Sequence, residues 1–144
     1  MAPFVRVRRK TYRKLPERIT GPSKVKVGFP AGKTGGDILD RAIWNHFGTE
    51  TIPERPFITS AIRDNRGAYQ RAMRVSALKI LMGETSLRTV LSKLGALAQG
   101  DIQAEIVSLS DPPNSPVTIA RKGSSNPLID TGQMRSSVSW KIGE

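Results

Sequence analysis

Two short stretches near opposite ends of the chain alternate with period two, and they constrain the fold more than anything between them. Residues 137–142 read SVSWKI, which puts Val138, Trp140 and Ile142 on one face and Ser137, Ser139 and Lys141 on the other. Residues 24–29 read KVKVGF, with Val25, Val27 and Phe29 on one face and two lysines on the other. Each stretch has an apolar face to cover, and a lone strand has no partner for its backbone groups. Pairing the two satisfies both needs. The expectation is an α+β fold in which a small antiparallel sheet joins the two ends of the chain, and the residues between form helices packed on it.

The intervening sequence supplies those helices. Residues 37–47 place Ile38, Leu39, Ala42, Ile43 and Phe47 on one stripe, with Trp44 and His46 beside it and Gly48 as the C-terminal cap. A proline-bracketed loop, IPERP, leads into a long helix over residues 57–82, whose apolar positions Ile58, Ala61, Ile62, Tyr69, Ala72, Met73, Ala77, Ile80 and Leu81 recur at helical spacing. Gly67 weakens its middle and marks a possible bend, and Arg63, Arg66, Arg71 and Arg74, mostly off the stripe, suit a solvated face better than one turned to DNA. Gly83 stops this helix, and Thr85 or Ser86 caps the next. There Leu87, Val90, Leu91, Leu94, Leu97, Ala98, Ile102 and Ile106 form a second stripe, broken by Gly95 and Gly100, which permit close helix approach or a kink.

Residues 111–126, with three prolines, the pair Arg121 and Lys122 and, after Gly123, two serines, read as a long loop, of a length that is often functional or ordered by a partner. Pro127 then restricts Asn126 to extended geometry, and Asp130 or Thr131 caps the first turn of a short helix before the last strand. The division expected is a basic arm over residues 1–23 and a single α+β domain over 24–144 that includes the loop.

Charge separates these parts. Residues 1–33 carry ten Lys and Arg against Glu17 alone, among them Arg6, Arg8, Arg9, Lys10, Arg13 and Lys14, whereas residues 34–144 carry thirteen against eleven acids. Such an arm suits nucleic-acid phosphates or any acidic surface, with strong salt dependence, and equally suits a solubilising tail or an arm that orders against an acidic protein. With no cysteine and one histidine in 144 residues, disulfides and a zinc-like ligand set are excluded. No apolar run approaches the roughly 20 residues needed to span a bilayer, and no secretory signal follows the basic N-terminus, so a soluble, non-exported protein without membrane contact is expected.

Catalytic readings find little purchase. Gly32-Lys33-Thr34 follows a strand and precedes a helix, as a phosphate-binding loop does, but that loop requires glycine at position 27, where Val27 stands. Gly28 leaves three intervening residues instead of four, and the closed nest of amides depends on that spacing. His46 has no Ser, Cys or carboxylate spaced to make it a base. Scattered carboxylates complete the picture: no enzyme, no catalytic residue, no cofactor and no metal are expected.

The order VKVGFPAG, AIWNHFGT, IPERPF, LGALAQGDIQ and NSPVTIARKGSSNPLIDTGQMRSSVSWKI resembles the virion-morphogenesis family of tailed bacteriophages, the neck or tail-completion proteins, over roughly residues 24–142. The resemblance implies a structural virion protein, assembled in the host cytoplasm, that forms a ring at the head–tail junction with a hexamer favoured. It would act in tail completion or head–tail joining, with copies of itself, the connector or neck, and tail-tube or tail-terminator proteins as partners. It implies that Pro53, Arg55, Pro56 and Phe57 shape the turn before the long helix, and that Asp130, Thr131 and Gly132 shape the approach to the last strand. The family often has an acidic residue in the place of His46. The arm residues Arg6 to Lys14, with Arg121 and Lys122, are candidate interface positions, and basic side chains could line a lumen in non-specific contact with genomic DNA. The alternative is a small basic nucleic-acid-binding protein.

Overall fold

A computed structural model describes residues 21–30 and 32–143. The arm residues Arg6, Arg8, Arg9, Lys10, Arg13 and Lys14 lie outside the described residues. The elements run β1 (Lys24–Gly28), α1 (Gly36–Phe47), α2 (Phe57–Met82), α3 (Leu87–Ser108), α4 (Pro116–Lys122), α5 (Gln133–Ser137) and β2 (Ser139–Gly143). The two strands pair antiparallel, Val25 opposite Ile142 and Val27 opposite Trp140, so the sheet joins the ends of the domain as the alternations require. The fold is α+β, a two-stranded antiparallel sheet with two long helices, one shorter one and the short α4 and α5.

One helix covers that sheet. α3 packs against β1, β2 and α2, and it approaches so closely at Gly95 that a Cβ there would lie 2.7 Å from the Trp140 ring. The glycine in the middle of α3 therefore allows the indole to lie on the helix backbone. Phe57, Ala61, Ile102, Ile106, Leu128, Met134 and Val138 form the core together with Ala42, and Phe29 meets Phe57 edge to face at 6.3 Å. This core lies where the first turns of α2, the second half of α3 and residues 128–138 converge. Tyr69 of α2 donates to Asp101 Oδ2 of α3 at 2.6 Å, tying the two helices further along; burial, then this bond, holds the phenol well above the ordinary tyrosine range.

Local signals account for the helix ends. Gly83 closes α2 in the left-handed region at φ 79°, with its N–H on Ile80 O and that of Glu84 on Lys79 O. Ser86, of the two residues expected, caps α3 by accepting from Thr89 N–H. Gly48 ends α1 at φ 74°, where a Cβ would meet Glu54 N at 2.9 Å, so glycine is required on both counts. α2 runs through Gly67 as one continuous helix.

Three expectations are corrected. Residues 111–126 are not a plain loop, because α4 lies within them: Ser115 accepts from Thr118 N–H, Pro116 occupies the first turn and Gly123 closes the helix at φ 68°. Neither Asp130 nor Thr131 caps α5; Gly132 does so through its backbone, in the left-handed region at φ 78°, its carbonyl accepting from Ser136 N–H. Finally, Ser137 belongs to α5 and not to the strand, because the Ser136 and Ser137 hydroxyls both turn back to Gln133 O.

Candidate functional site

Arg55 is the residue around which the polar part of the molecule is built. It is 2% exposed, in the turn before α2, and the backbone N–H of the same residue donates to Asn45 O at the end of α1. Its guanidinium donates through Nε to Pro112 O at 2.7 Å, through Nη1 to Asn45 Oδ1 at 3.1 Å, and through Nη2 to Pro113 O at 3.0 Å and Asn114 Oδ1 at 3.4 Å. All four acceptors are neutral. Burial lowers the Arg55 pKa from its usual range, but an arginine stays charged in a protein, so a buried positive charge sits here with no carboxylate hydrogen-bonded to it among the described residues.

A cleft of about 680 Å³ opens beside it, walled by α1, the turn of residues 51–55, α4 and residues 127–134. Arg41, Arg55, Arg121 and Lys122 line it against one acid, Asp130. Lys122 Nζ donates to Asn126 O and Pro127 O at 3.3 and 3.4 Å. Burial lowers the Lys122 pKa most; Asp130 opposes this, and the positive charges of Arg55, Arg121 and Arg41 lower it further. Asn114 Nδ2 is buried and meets no hydrogen-bond partner among the described residues. Because Asn114 Oδ1 faces the obligate donor Arg55, the end left over on the same side chain is a donor.

Asn126 shapes the floor. Its Oδ1 accepts from Leu128 N–H at 2.9 Å and Ile129 N–H at 3.1 Å, while Nδ2 donates to Val107 O at 2.7 Å, fastening the segment to the end of α3. Leu128 and Met134, which flank the turn of residues 130–132, enter the core. Among the residues singled out by sequence, the structure therefore brings Pro53, Arg55, Asp130, Thr131, Gly132, Arg121 and Lys122 to one cleft. Phe57 lies behind it in the core, and Pro56 is the residue preceding α2. Lys122 is bound within its own chain and is not a free surface cation. Asn45, Asn114 and Asn126, which hold the cleft together, carried no sequence signal beyond being turn formers.

Among the described residues two apolar patches also remain on the surface, the first sharing Trp44 with the cleft. One is on α1, where Ile43, Trp44 and Phe47 are exposed, Phe47 at 71%. The other is on the second half of α2, where Met73, Val75, Leu78, Leu81 and Met82 are exposed, Met82 at 71%, with Leu97 of α3 beside them. The helical stripes drawn from sequence thus bury only Ala42 in α1, and in the later part of α2 they bury Ile80 while Met73 and Leu81 face outward. A largely apolar groove between Met73, Val75, Val90, Leu94 and Leu97 continues the second patch. His46 sits between Phe47 and Phe57, with Nε2 at 3.3 Å from Thr59 Oγ1 and Nδ1 buried with no partner among the described residues. Burial lowers its pKa, with Glu54 opposing.

Comparison of the chain with protein-family models, with curated proteins and with solved structures finds no match.

Proposed function

We propose that this chain is a structural subunit of a tailed-bacteriophage particle, forming a closed ring of its own copies at the head–tail junction in tail completion or head–tail joining. The observation that carries the self-assembly is the pair of unlike apolar patches. From Phe57 to Leu78, α2 advances roughly 30 Å at about 1.5 Å per residue, so the α2 patch lies far from the α1 patch near its start. Their rims differ in sign. Around the α1 patch stand Asp37, Asp40, Glu50 and Glu54 against exposed Arg41; around the α2 patch stand Arg71, Arg74, Lys79, Arg88 and Lys93 against Glu84. Two different, charge-complementary surfaces favour a head-to-tail contact, and such contacts between identical chains close into rings or run on as filaments. The resemblance in the IPERPF and LIDTGQMRSSV segments supports the phage setting and the preference for a hexamer.

Mixing two variants tests the contact. Leu78→Glu removes the α2 patch and Phe47→Lys the α1 patch, each leaving the other intact. Each alone should be monomeric by mass photometry while the parent forms a discrete closed oligomer, and an equimolar mixture should give heterodimers. A parent that stays monomeric at micromolar concentration ends the ring reading, and a variant that dimerises by itself replaces the head-to-tail contact with a two-fold one. Electron microscopy of virions carrying a tagged copy then tests the position at the neck. The second reading, a nucleic-acid-binding protein, draws on the charge of residues 1–33. Deletion of residues 1–23 should abolish the salt dependence of duplex DNA binding if the arm is the grip.

A further inference from the structure

Four cations line one cleft against a single acid, and this arrangement needs an explanation that ring formation does not give. Arg55 cannot leave, because its four hydrogen bonds fix it under the floor. Arg41 and Arg121 stand at the exposed rim on two different elements, α1 and α4, and Lys122 lies half-buried between the floor and the rim. A surface selected only for solubility would disperse like charges, since each raises the cost of the others. Here they are gathered, and the residues that gather them are specific: the Ser115 cap and Gly123 fix the orientation of α4, and Asn126 holds the segment opposite. Of the buried polar atoms left without a partner among the described residues, the one in the lining of this cleft is also a donor, Asn114 Nδ2. Donors in excess of acceptors and positive charge in excess of negative describe the same missing chemistry.

We propose that this cleft is an anion site that binds a ligand bearing two or more phosphate or carboxylate groups, gripped by Arg41, Arg121 and Lys122 with Asn114 Nδ2 as a neutral donor. The guanidinium groups at the rim match the planar pair of oxygens on a carboxylate or phosphate, and Arg55 below supplies a fixed field without direct contact. A cleft of about 680 Å³ lies within the size range of small-molecule sites. Asp130, the one acid of the lining, offsets only part of what lowers the Lys122 pKa, and the exposed pair of Arg41 with Asp37 at 3.8 Å leaves Arg121 and Lys122 without a carboxylate in the cleft other than Asp130. The site shares Arg41 and Trp44 with the α1 patch of the assembly reading, but it is tested by ligand binding and not by oligomeric state.

The basic arm would attract any polyanion, so the test must report on the cleft itself. Isotope-labelled full-length protein is titrated with inorganic pyrophosphate and, separately, with citrate, at constant ionic strength. The Asn114 side-chain amide and the backbone amides of Thr118 and Gln133 should shift together and saturate at one equivalent. Arg41→Gln combined with Arg121→Gln, both at exposed positions, should weaken binding at least tenfold while leaving the melting temperature within a few degrees. Arg63→Gln with Arg66→Gln on α2 should leave affinity unchanged. Saturation by pyrophosphate alone identifies a phosphate site, and by citrate alone a carboxylate site. The proposal is overturned if neither probe saturates these resonances at millimolar concentration, or if the rim variant binds as tightly as the parent.

Discussion

Replacing Gly95 by alanine isolates the contact on which the sheet rests. Any interior helix glycine gains about 1 kcal/mol when changed to alanine, because the unfolded chain loses freedom and the helix gains a favourable residue. At Gly100, also within α3, nothing lies within 4 Å of the new Cβ, so Gly100→Ala should show that gain in full. At Gly95 the same methyl would stand 2.7, 2.8 and 2.9 Å from three atoms of the Trp140 ring, against an ordinary contact of 3.4–4 Å. The ring is broad and belongs to a strand, so β2 must lift or the indole must leave its rotamer. Overpacking of this kind costs about 1–3 kcal/mol, which cancels or exceeds the propensity gain. The difference between the two variants is therefore expected at about 1–3 kcal/mol in favour of Gly100→Ala. Urea denaturation followed by far-UV circular dichroism measures it, with unchanged m-values as the check that compactness is the same. Trp140→Leu should then rescue Gly95→Ala, and the double-mutant cycle gives the coupling directly. Equal stabilisation by the two alanines, or no coupling to Trp140, would refute the close approach of β2 to α3.

Arg55→Lys keeps the charge but cannot span acceptors on two segments, Asn45 and residues 112–114, and should cost about 2–4 kcal/mol in chemical denaturation by leaving buried carbonyls without donors. Asn126→Ala removes the bond to Val107 O and both bonds from Leu128 and Ile129, for about 2–3 kcal/mol, while Asn126→Asp keeps the last two and should fall between alanine and the parent. His46 gives a pH dependence with a definite sign. Its folded pKa lies below the ordinary 6.5, so the unfolded chain takes up the proton first, and stability falls as pH drops below that value. Melting temperatures at pH 7.5 and 5.5 should differ less for His46→Gln than for the parent, and an equal difference would remove His46 from the account.

The sheet was legible from sequence because period-two alternation survives inspection one segment at a time, and two such segments with exposed apolar faces have few ways to satisfy each other. The long helices were legible for the same reason. α4 was not, since Pro112, Pro113 and Pro116 in quick succession read as breakers. Yet Ser115-Pro116 followed by Gly123 is the combination that starts and stops a short helix, because proline in the first turn gives up an N–H that had no partner in any case. The capping of α5 was misread for a related reason: Asp130 and Thr131 are good cap residues by type, but the chain reverses through Gly132 at a positive φ that neither would adopt cheaply. Propensity names which residues can cap; only the path of the chain decides which one does.

The helical stripes carry the more consequential lesson. Periodicity marks an apolar face but does not state what covers it, and in α2 the first part of the face, Phe57 and Ala61, is covered by this chain while Met73 and Leu81 are not. A core residue and an interface residue obey the same 3.6-residue repeat. What separates them is length: 26 residues of helix outrun a sheet whose strands have five residues each, so the far half of α2 projects beyond anything the two ends of the chain can supply, apart from the start of α3. The excess apolar surface is thus a consequence of element lengths already fixed in the sequence, and shortening α2 would relieve it at the cost of the patch. A helix of this length on so small a sheet is explained if another molecule completes the packing, and the basic rim of its outer half together with the acidic rim of α1 is the reason the proposed partner is a second copy of the same chain.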